Sequence, residues 1–351
     1  MKSFKISNIE IGPEHKPFII AEMSGNHNQS LDRALEIVDA AADAGAHCIK
    51  LQTYRADTIT FNSNSAEFTI NDDKSIWKGQ NLYQLYEQAY TPWEWHQPIF
   101  EHAKKRGILA FSSPFDVTAV DFLETLDVPA YKVASFENTD HILLKKVAQT
   151  GKPVIMSTGV ASVADIEESV KVLREAGCEQ LVLLKCTSTY PASPENTNLL
   201  TIPHMAQLFN VSVGLSDHTM GIGASVAAVA MGARVIEKHF TLRRADGGVD
   251  STFSLEPEEM KALVIESERA FLAMGKVNYT LSDKEKNSLQ FKRSLFVVKD
   301  LEAGEEFSAE NVKSIRPANG LHTRYYDQIL GKKAKTAIKA GTPLAWNLVS
   351  L

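Results

Sequence analysis

Cysteine is scarce in this sequence. Cys48, Cys178 and Cys186 are the only three in 351 residues. They are an odd number, widely spaced and without CxxC spacing, which argues against a disulfide framework or a thiolate zinc site and fits a reducing cytosol. No long hydrophobic run is present. The longest apolar stretch, near 224–233, contains Gly232 and reads as a buried helix, not a membrane span. Residues 1–12 are charged and alternating, with no apolar core before a cleavage site, so no secretory signal is expected and a cytoplasmic protein is. Positive charge is not in excess: 37 Lys and Arg face 43 Asp and Glu, a formal net charge of −6. That balance offers no general attraction to nucleic acid or to an anionic membrane. An anionic ligand would have to be met by local lysines and backbone dipoles. No GxGxxG or GxxxxGK[ST] follows any apolar run, so the usual dinucleotide and P-loop readings have no support.

What is present is the composition of an ordinary globular protein, 44% hydrophobic and 23% charged, with a regular alternation from Phe18 onward. Short apolar runs at 18–23, 47–52, 108–112, 130–134, 153–157, 181–186, 212–215 and 234–240 predict strands. Segments of helical period separate them, such as 31–44 and 162–176, the latter stopped by Gly177. Eight strand–helix units in about 270 residues predict an α/β TIM (β/α)8 barrel over 1–275. Residues 53–91 exceed an ordinary connection and carry Asn71, Trp77, Tyr83 and Tyr86. They read as a lid over the active face, or as an insertion with a surface helix at 80–90. After a charged linker at 276–290, short strands and glycine turns over 291–351 suggest a small, mainly β module that packs against something.

In such a barrel the chemistry sits at the C-terminal strand ends. A polar residue stands at or just past nearly every predicted end: Glu22, Lys50 with Gln52, Ser112 with Ser113, Lys132 with Ser135, Ser157, Lys185 with Thr187 and Ser188, Ser216 with Asp217 and His218, and His239. Each alone reads most simply as a solvated terminus. Barrel closure gathers all of them into one ring. The lysines and serines suit phosphate and carboxylate oxygens, and the turn at Ser157-Thr158-Gly159 adds backbone N–H donors. His218 and His239, on the last two strands, are placed to share a divalent ion, though buried histidines are more often satisfied by hydrogen bonds alone. No histidine is locally tied to Cys186, which reads as packing.

At these residues the sequence resembles the sialic acid synthase family, which joins phosphoenolpyruvate to an N-acetylated amino sugar. The shared stretches are Ile20-Ala21-Glu22 with Asn26-His27, Lys50-Leu51-Gln52-Thr53, Ser112-Ser113-Pro114-Phe115, Tyr131-Lys132-Val133-Ala134-Ser135, Ser157-Thr158-Gly159, Ser216-Asp217-His218-Thr219 and Glu237-Lys238-His239-Phe240. The tail from Arg293-Ser294-Leu295 to Arg316-Pro317 is similar to the antifreeze-like (SAF) domain of that family. Lys185 to Pro191 and Gly247 to Ser251 depart from the usual neuraminate pattern and resemble the branch that makes pseudaminic acid. The resemblance implies that His218 and His239 bind a divalent metal, Mn²⁺ first, with Mg²⁺ or Co²⁺ as alternatives. It implies that Lys50, Ser113, Lys132, Ser135, Ser157, Ser188 and Ser216 hold phosphoenolpyruvate. Gln52, Asn71, Glu137, Tyr190 and Asp250 would face the sugar, with Glu22 beside them managing protons. Arg316 would reach the sugar from the partner subunit of a domain-swapped homodimer.

The implied reaction joins carbon 3 of phosphoenolpyruvate to the aldehyde of 2,4-diacetamido-2,4,6-trideoxy-L-altrose and releases phosphate by C–O cleavage. Three readings stay beside it: an N-acetylneuraminate or legionaminate synthase, a Schiff-base aldolase acting through Lys185, and a barrel that binds a sugar phosphate without catalysis.

Overall fold

Runs rich in Ile, Val and Leu form strands when both faces are covered, and this chain follows that rule in a computed structural model that describes residues 3–71 and 78–350. Trp77 falls outside the described residues. A hairpin of β1 (Phe4–Ile6) and β2 (Ile9–Ile11) comes first. The barrel follows: β3 (Phe18–Glu22), β4 (Cys48–Thr53), β5 (Leu109–Pro114), β6 (Tyr131–Val133), β7 (Val154–Ser157), β8 (Leu181–Cys186), β9 (Ser212–Asp217) and β10 (Val235–His239). All eight are parallel and the ring is closed, because β10 pairs with both β9 and β3. The α/β TIM (β/α)8 expectation is met. Between β9 and β10, Val235 lies opposite Gly214. A Cβ at Gly214 would run into the Val235 carbonyl oxygen, so this position requires glycine for strand contact.

The helices begin where side chains satisfy their first N–H groups. Ser30, Asp116, Asp140 and Ser162 cap Leu31–Asp43, Val117–Thr125, His141–Ala148 and Val163–Glu175. Leu31–Asp43 shows why they dock: Ala34, Ile37, Val38 and Ala41, spaced by three and four, are its buried face. Ile6 and Ile11 of the hairpin join the same core. Ser7 borders a groove with Leu109, Val128 and Pro129, which places the hairpin at the N-terminal end of the barrel. The opposite end is left for chemistry.

Three strands run further than their apolar patterns, β4 by one residue to Thr53 and two others by two. The strands read at 108–112 and 212–215 continue to Pro114 and Asp217. Their last residues are polar yet paired, Ser113 against Gln52 and Ser216 against Cys186, and hydrophobicity does not reveal such residues. Within 53–91 the expected surface helix occurs at Leu82–Ala89, none of it buried. Among the described residues no helix is long and apolar enough to cross a membrane.

The chain divides into two compact units, one ending at Gly275 and the other beginning at Lys276. The second has its own core of Leu295, Val297, Leu301, Phe307, Val312, Ile329, Ile338 and Leu344. Strands β11 (Ser294–Val297) and β12 (Val312–Ile315) pair antiparallel, as do β13 (Lys333–Ala334) and β14 (Val349–Ser350). The stretch expected as a linker holds a short helix, Asp283–Asn287, whose start is locked by a capping box of Ser282 and Glu285.

Candidate active site

Side chains alternate across a strand, so the barrel interior receives every second residue. At the C-terminal end that rule delivers Glu22 from β3, Lys50 and Gln52 from β4, Ser113 from β5, Lys132 from β6, Ser157 from β7, Cys186 from β8, Ser216 from β9, and Glu237 and His239 from β10. With Phe115, Ser135, Tyr190 and His218 from the following loops, they line one mouth. Lys50 and Lys132 are only 3% and 2% exposed, and buried ammonium groups require partners. Lys50 Nζ lies 2.6 Å from Glu22 Oε2 and 3.8 Å from Glu237 Oε2. Lys132 Nζ lies 3.6 Å from Glu237 Oε1. The two lysines and two carboxylates thus balance one another.

The hydroxyls are arranged to give. Ser113 Oγ accepts from Lys50 Nζ at 3.0 Å, and Ser135 Oγ accepts from the Gly159 N–H at 3.2 Å. Ser113 keeps its own hydrogen for an incoming acceptor, while the Ser135 hydroxyl also hydrogen-bonds the Cys186 thiol. Ser157 Oγ is buried with no partner. A Cβ at Gly159 would collide with Ser188 Oγ and come within 2.6 Å of Ser135 Oγ, so both hydroxyls crowd the space that a side chain at Gly159 would take. The result is a cradle of donors beside two cations, suited to a compact anion with phosphate and carboxylate oxygens.

Burial drives the proton equilibria apart. Glu22 is pushed up to about 7 by burial and by Glu237, against the pull of Lys50, while Gln52 Nε2 donates to Glu22 Oε1 at 3.0 Å. Burial also opposes the charge on Glu237, but Lys132 and Lys50 outweigh it and hold that carboxyl below its usual range. Glu137 is raised to about 7 by burial. Asp250 is raised by burial as well, while its Oδ2 accepts from Ser24 Oγ.

The ring planes of His218 and His239 have centroids 5.3 Å apart, flanked by Tyr190 and Phe253. His218 Nδ1 is 3.1 Å from the Thr187 carbonyl. A carbonyl only accepts, so Nδ1 carries a hydrogen, and in the neutral ring the lone pair lies on Nε2. Burial opposes charge on His218, but its contacts with Cys186 and the Thr187 carbonyl outweigh it and raise its pKa. His239 Nδ1 is buried without a hydrogen-bond partner, its nearest acid being Asp250 Oδ2 at 3.6 Å. Burial, then His218 and the lysines, keep His239 neutral. Among the described residues no group of three or more His, Cys, Asp or Glu is arranged to hold a metal ion. Two neighbouring imidazoles are donors of the kind a divalent ion takes, and an ion held by them alone would keep its remaining positions for water and substrate oxygens.

Of the residues singled out from sequence, Glu22, Lys50, Gln52, Ser113, Lys132, Ser135, Ser157, Tyr190, Ser216, His218 and His239 line the mouth together. Ser188 and Asp250 stand at its edge through Gly159 and His239. Glu137 sits on the turn Ser135–Glu137 with Oε2 unpartnered. Asn71 is exposed, donates to the Ala66 carbonyl and is not among the residues lining the mouth. Arg316 is exposed in the second unit, just past β12.

Two expectations are corrected. Cys186 is not mere packing: its Sγ lies 3.8 Å from His218 Nδ1. Burial pushes the thiol up, but hydrogen bonding with His218, Ser135 and Ser188 prevails and brings it down to about 7. Lys185, the candidate Schiff-base residue, alternates out of the mouth. Its ammonium donates to the Cys186 carbonyl and Thr187 Oγ1, and it lies in a groove with Ile166 and Met205 of the outer helices. Glu237 was missed as a site residue. Its signal was a carboxylate two residues before His239, and so on the same face of β10.

A model of the NeuB family matches residues 37–279, and one of the SAF domain matches residues 292–350. The chain is 47% identical over 331 residues to a pseudaminic acid synthase of Campylobacter jejuni, covering 94% of this chain and 96% of that protein. It is 41% identical over 330 residues to a pseudaminic acid synthase of Helicobacter pylori, with the same coverage. Among solved structures, an N-acetylneuraminic acid synthetase from Leptospira borgpetersenii in complex with citrate aligns at a TM-score of 0.73 and 33% identity, over 83% of this chain and 96% of that one.

Proposed function

This chain belongs to the NeuB family, and we propose from that premise that it condenses phosphoenolpyruvate with 2,4-diacetamido-2,4,6-trideoxy-L-altrose to give pseudaminic acid and phosphate. The observation that carries the reading is the donor cradle beside two buried lysines, opening onto two imidazoles. Lys50, Lys132 and the hydroxyls of Ser113, Ser135, Ser157, Ser188 and Ser216 hold the phosphate and carboxylate of phosphoenolpyruvate. Glu22 and Glu237, which neutralise the lysines in the free protein, release them to the ligand. A divalent ion held by His218 and His239, Mn²⁺ in preference to Mg²⁺ or Co²⁺, would supply Lewis-acid polarisation of the sugar aldehyde. Gln52, Tyr190, Asp250 and Glu137 orient the sugar so that its C1 meets carbon 3 of phosphoenolpyruvate.

The new C3–C1 bond forms from the enol π-pair as the aldehyde C=O π-pair moves to oxygen, which takes the proton of the Glu22 carboxyl, and cationic character appears at carbon 2. Water adds there. Glu22, poised near neutrality, takes the proton that this water loses. The tetrahedral centre then expels phosphate by breaking its carbon–oxygen bond, leaving the 2-keto acid. The lysines stabilise the developing charge from fixed positions.

The proposed working state is a cytoplasmic, domain-swapped homodimer in which Arg316 reaches the N-acetyl group of the partner's sugar. Two features support an assembly. Val277 and Tyr279 are 90% and 96% exposed, apolar surface that a second copy would cover. Residues 276–351 carry 13 Lys and Arg against 8 Asp and Glu, whereas residues 1–275 carry 24 against 35. Phosphate release measured with three sugars tests the substrate: N-acetylmannosamine and the two diacetamido-trideoxy hexoses leading to pseudaminic and legionaminic acids. The altro sugar is expected to give the highest kcat/KM. A preference for either of the others would reassign the chain to a neuraminate or legionaminate synthase.

A further inference from the structure

Each of the two mouth histidines follows a charged residue: Asp217 precedes His218 and Lys238 precedes His239. By strand parity these charges point to the outer face of the barrel wall. There Lys238 and Asp217 are register partners on β10 and β9. Both side chains are fully buried, with Nζ 2.9 Å from Oδ2. Lys238 Nζ also donates to the Thr219 carbonyl. Asp217 Oδ1 accepts from the Thr219 N–H at 2.8 Å, and Oδ2 accepts from Ser225 Oγ at 2.6 Å. One ammonium therefore binds the residues on both sides of His218, and its own strand ends one residue later at His239.

A buried ion pair is seldom favoured for stability alone, since apolar residues of the same volume commonly do as well. What apolar residues would not do is tie the turn carrying His218 to the strand carrying His239. Taking the reading of these histidines as an ion-holding pair, we propose that Lys238, with Asp217 as its anchor, is a positioning residue that sets the spacing of the two imidazoles. It touches neither substrate nor ion. Its part is that of an outer partner orienting ligands, where substitution typically weakens metal affinity by about 10- to 100-fold.

The test is the dissociation constant for Mn²⁺, read from the electron paramagnetic resonance of the free ion, in the full chain without substrates. Lys238→Gln should bind Mn²⁺ at least about tenfold more weakly than the parent, while phosphoenolpyruvate affinity stays within about twofold. Lys238→Arg, which keeps the donors, should recover part of the loss. If Lys238→Gln fails to fold, the neutral pair Asp217→Asn with Lys238→Gln, which leaves no unpaired charge, should show the same loss. A folded variant of either kind that binds Mn²⁺ as tightly as the parent overturns the positioning role. A parent that binds no Mn²⁺ overturns the reading of the two histidines as an ion-holding pair.

Discussion

Replacing Gly159 by alanine should weaken phosphoenolpyruvate binding far more than it weakens the fold. The added methyl would lie 2.6 Å from Ser135 Oγ and 3.0 Å from Ser135 Cβ, and closer still to Ser188 Oγ. Ordinary contact needs about 3.5 Å, so Ser135 Oγ must swing away by about 0.9 Å and Ser188 Oγ by about 1.5 Å. Rotation about Cα–Cβ moves the hydroxyls, and the Ser135 Cβ contact needs a backbone shift of only about 0.5 Å, but the hydroxyls then leave the anion. A hydrogen bond to a charged group contributes about 1.5–3 kcal/mol. Losing one, at ~2 kcal/mol, corresponds to roughly 30-fold in affinity at about 1.4 kcal/mol per tenfold. Losing both sets an upper bound near a thousandfold. Steady-state kinetics should show KM for phosphoenolpyruvate raised at least about 30-fold, a smaller change in kcat at saturation, and a melting temperature within a few degrees of the parent. A folded Gly159→Ala protein with unchanged KM would refute the cradle.

Lys132→Ala should raise the phosphoenolpyruvate dissociation constant by about 10- to 100-fold through loss of a charge-assisted contact; unchanged affinity with lost turnover would count against a binding role. Gly214→Ala forces a methyl against the Val235 carbonyl and should destabilise the barrel by about 1–3 kcal/mol or more in urea titrations. Glu137 keeps its proton up to about pH 7 in the folded state, against 4.5 for the ordinary value. Its contribution to stability is thus full below about 4.5 and is lost as pH rises through 7. Glu137→Gln should flatten that fall, and a variant with the parent's slope would refute the shift. Chelation should abolish phosphate release and Mn²⁺ should restore it; activity persisting in metal-free protein would contradict the ion-holding reading.

The barrel was legible because its strands are apolar on both faces and its helices carry clean three-and-four spacing. Each predicted strand overlaps an observed one. The errors fall at strand C-termini such as Ser216-Asp217, where polar residues remain in the ladder because they face the mouth or the Lys238 ion pair. The ring of polar ends was legible as a set, since closure alone brings it together. Partnerships within it were not. Cys186 and His218 are 32 residues apart and meet only through the pairing of β8 with β9. Glu237 looked like one more residue of a buried strand, and its bridge between Lys50 and Lys132 needs three separate strands to be visible. Lys185 showed the opposite failure: a lysine at a strand end, in the right place by count, but on the wrong face by parity.

Carbon–oxygen cleavage is the step on which the proposed chemistry stands. Phosphoenolpyruvate labelled with ¹⁸O at the bridging oxygen, incubated with the Mn²⁺-loaded protein and the altro-configured diacetamido sugar, reads it directly by ³¹P nuclear magnetic resonance. The released phosphate should carry one ¹⁸O, alongside a nine-carbon sugar acid formed from the hexose. Unlabelled phosphate, or none released, would contradict it.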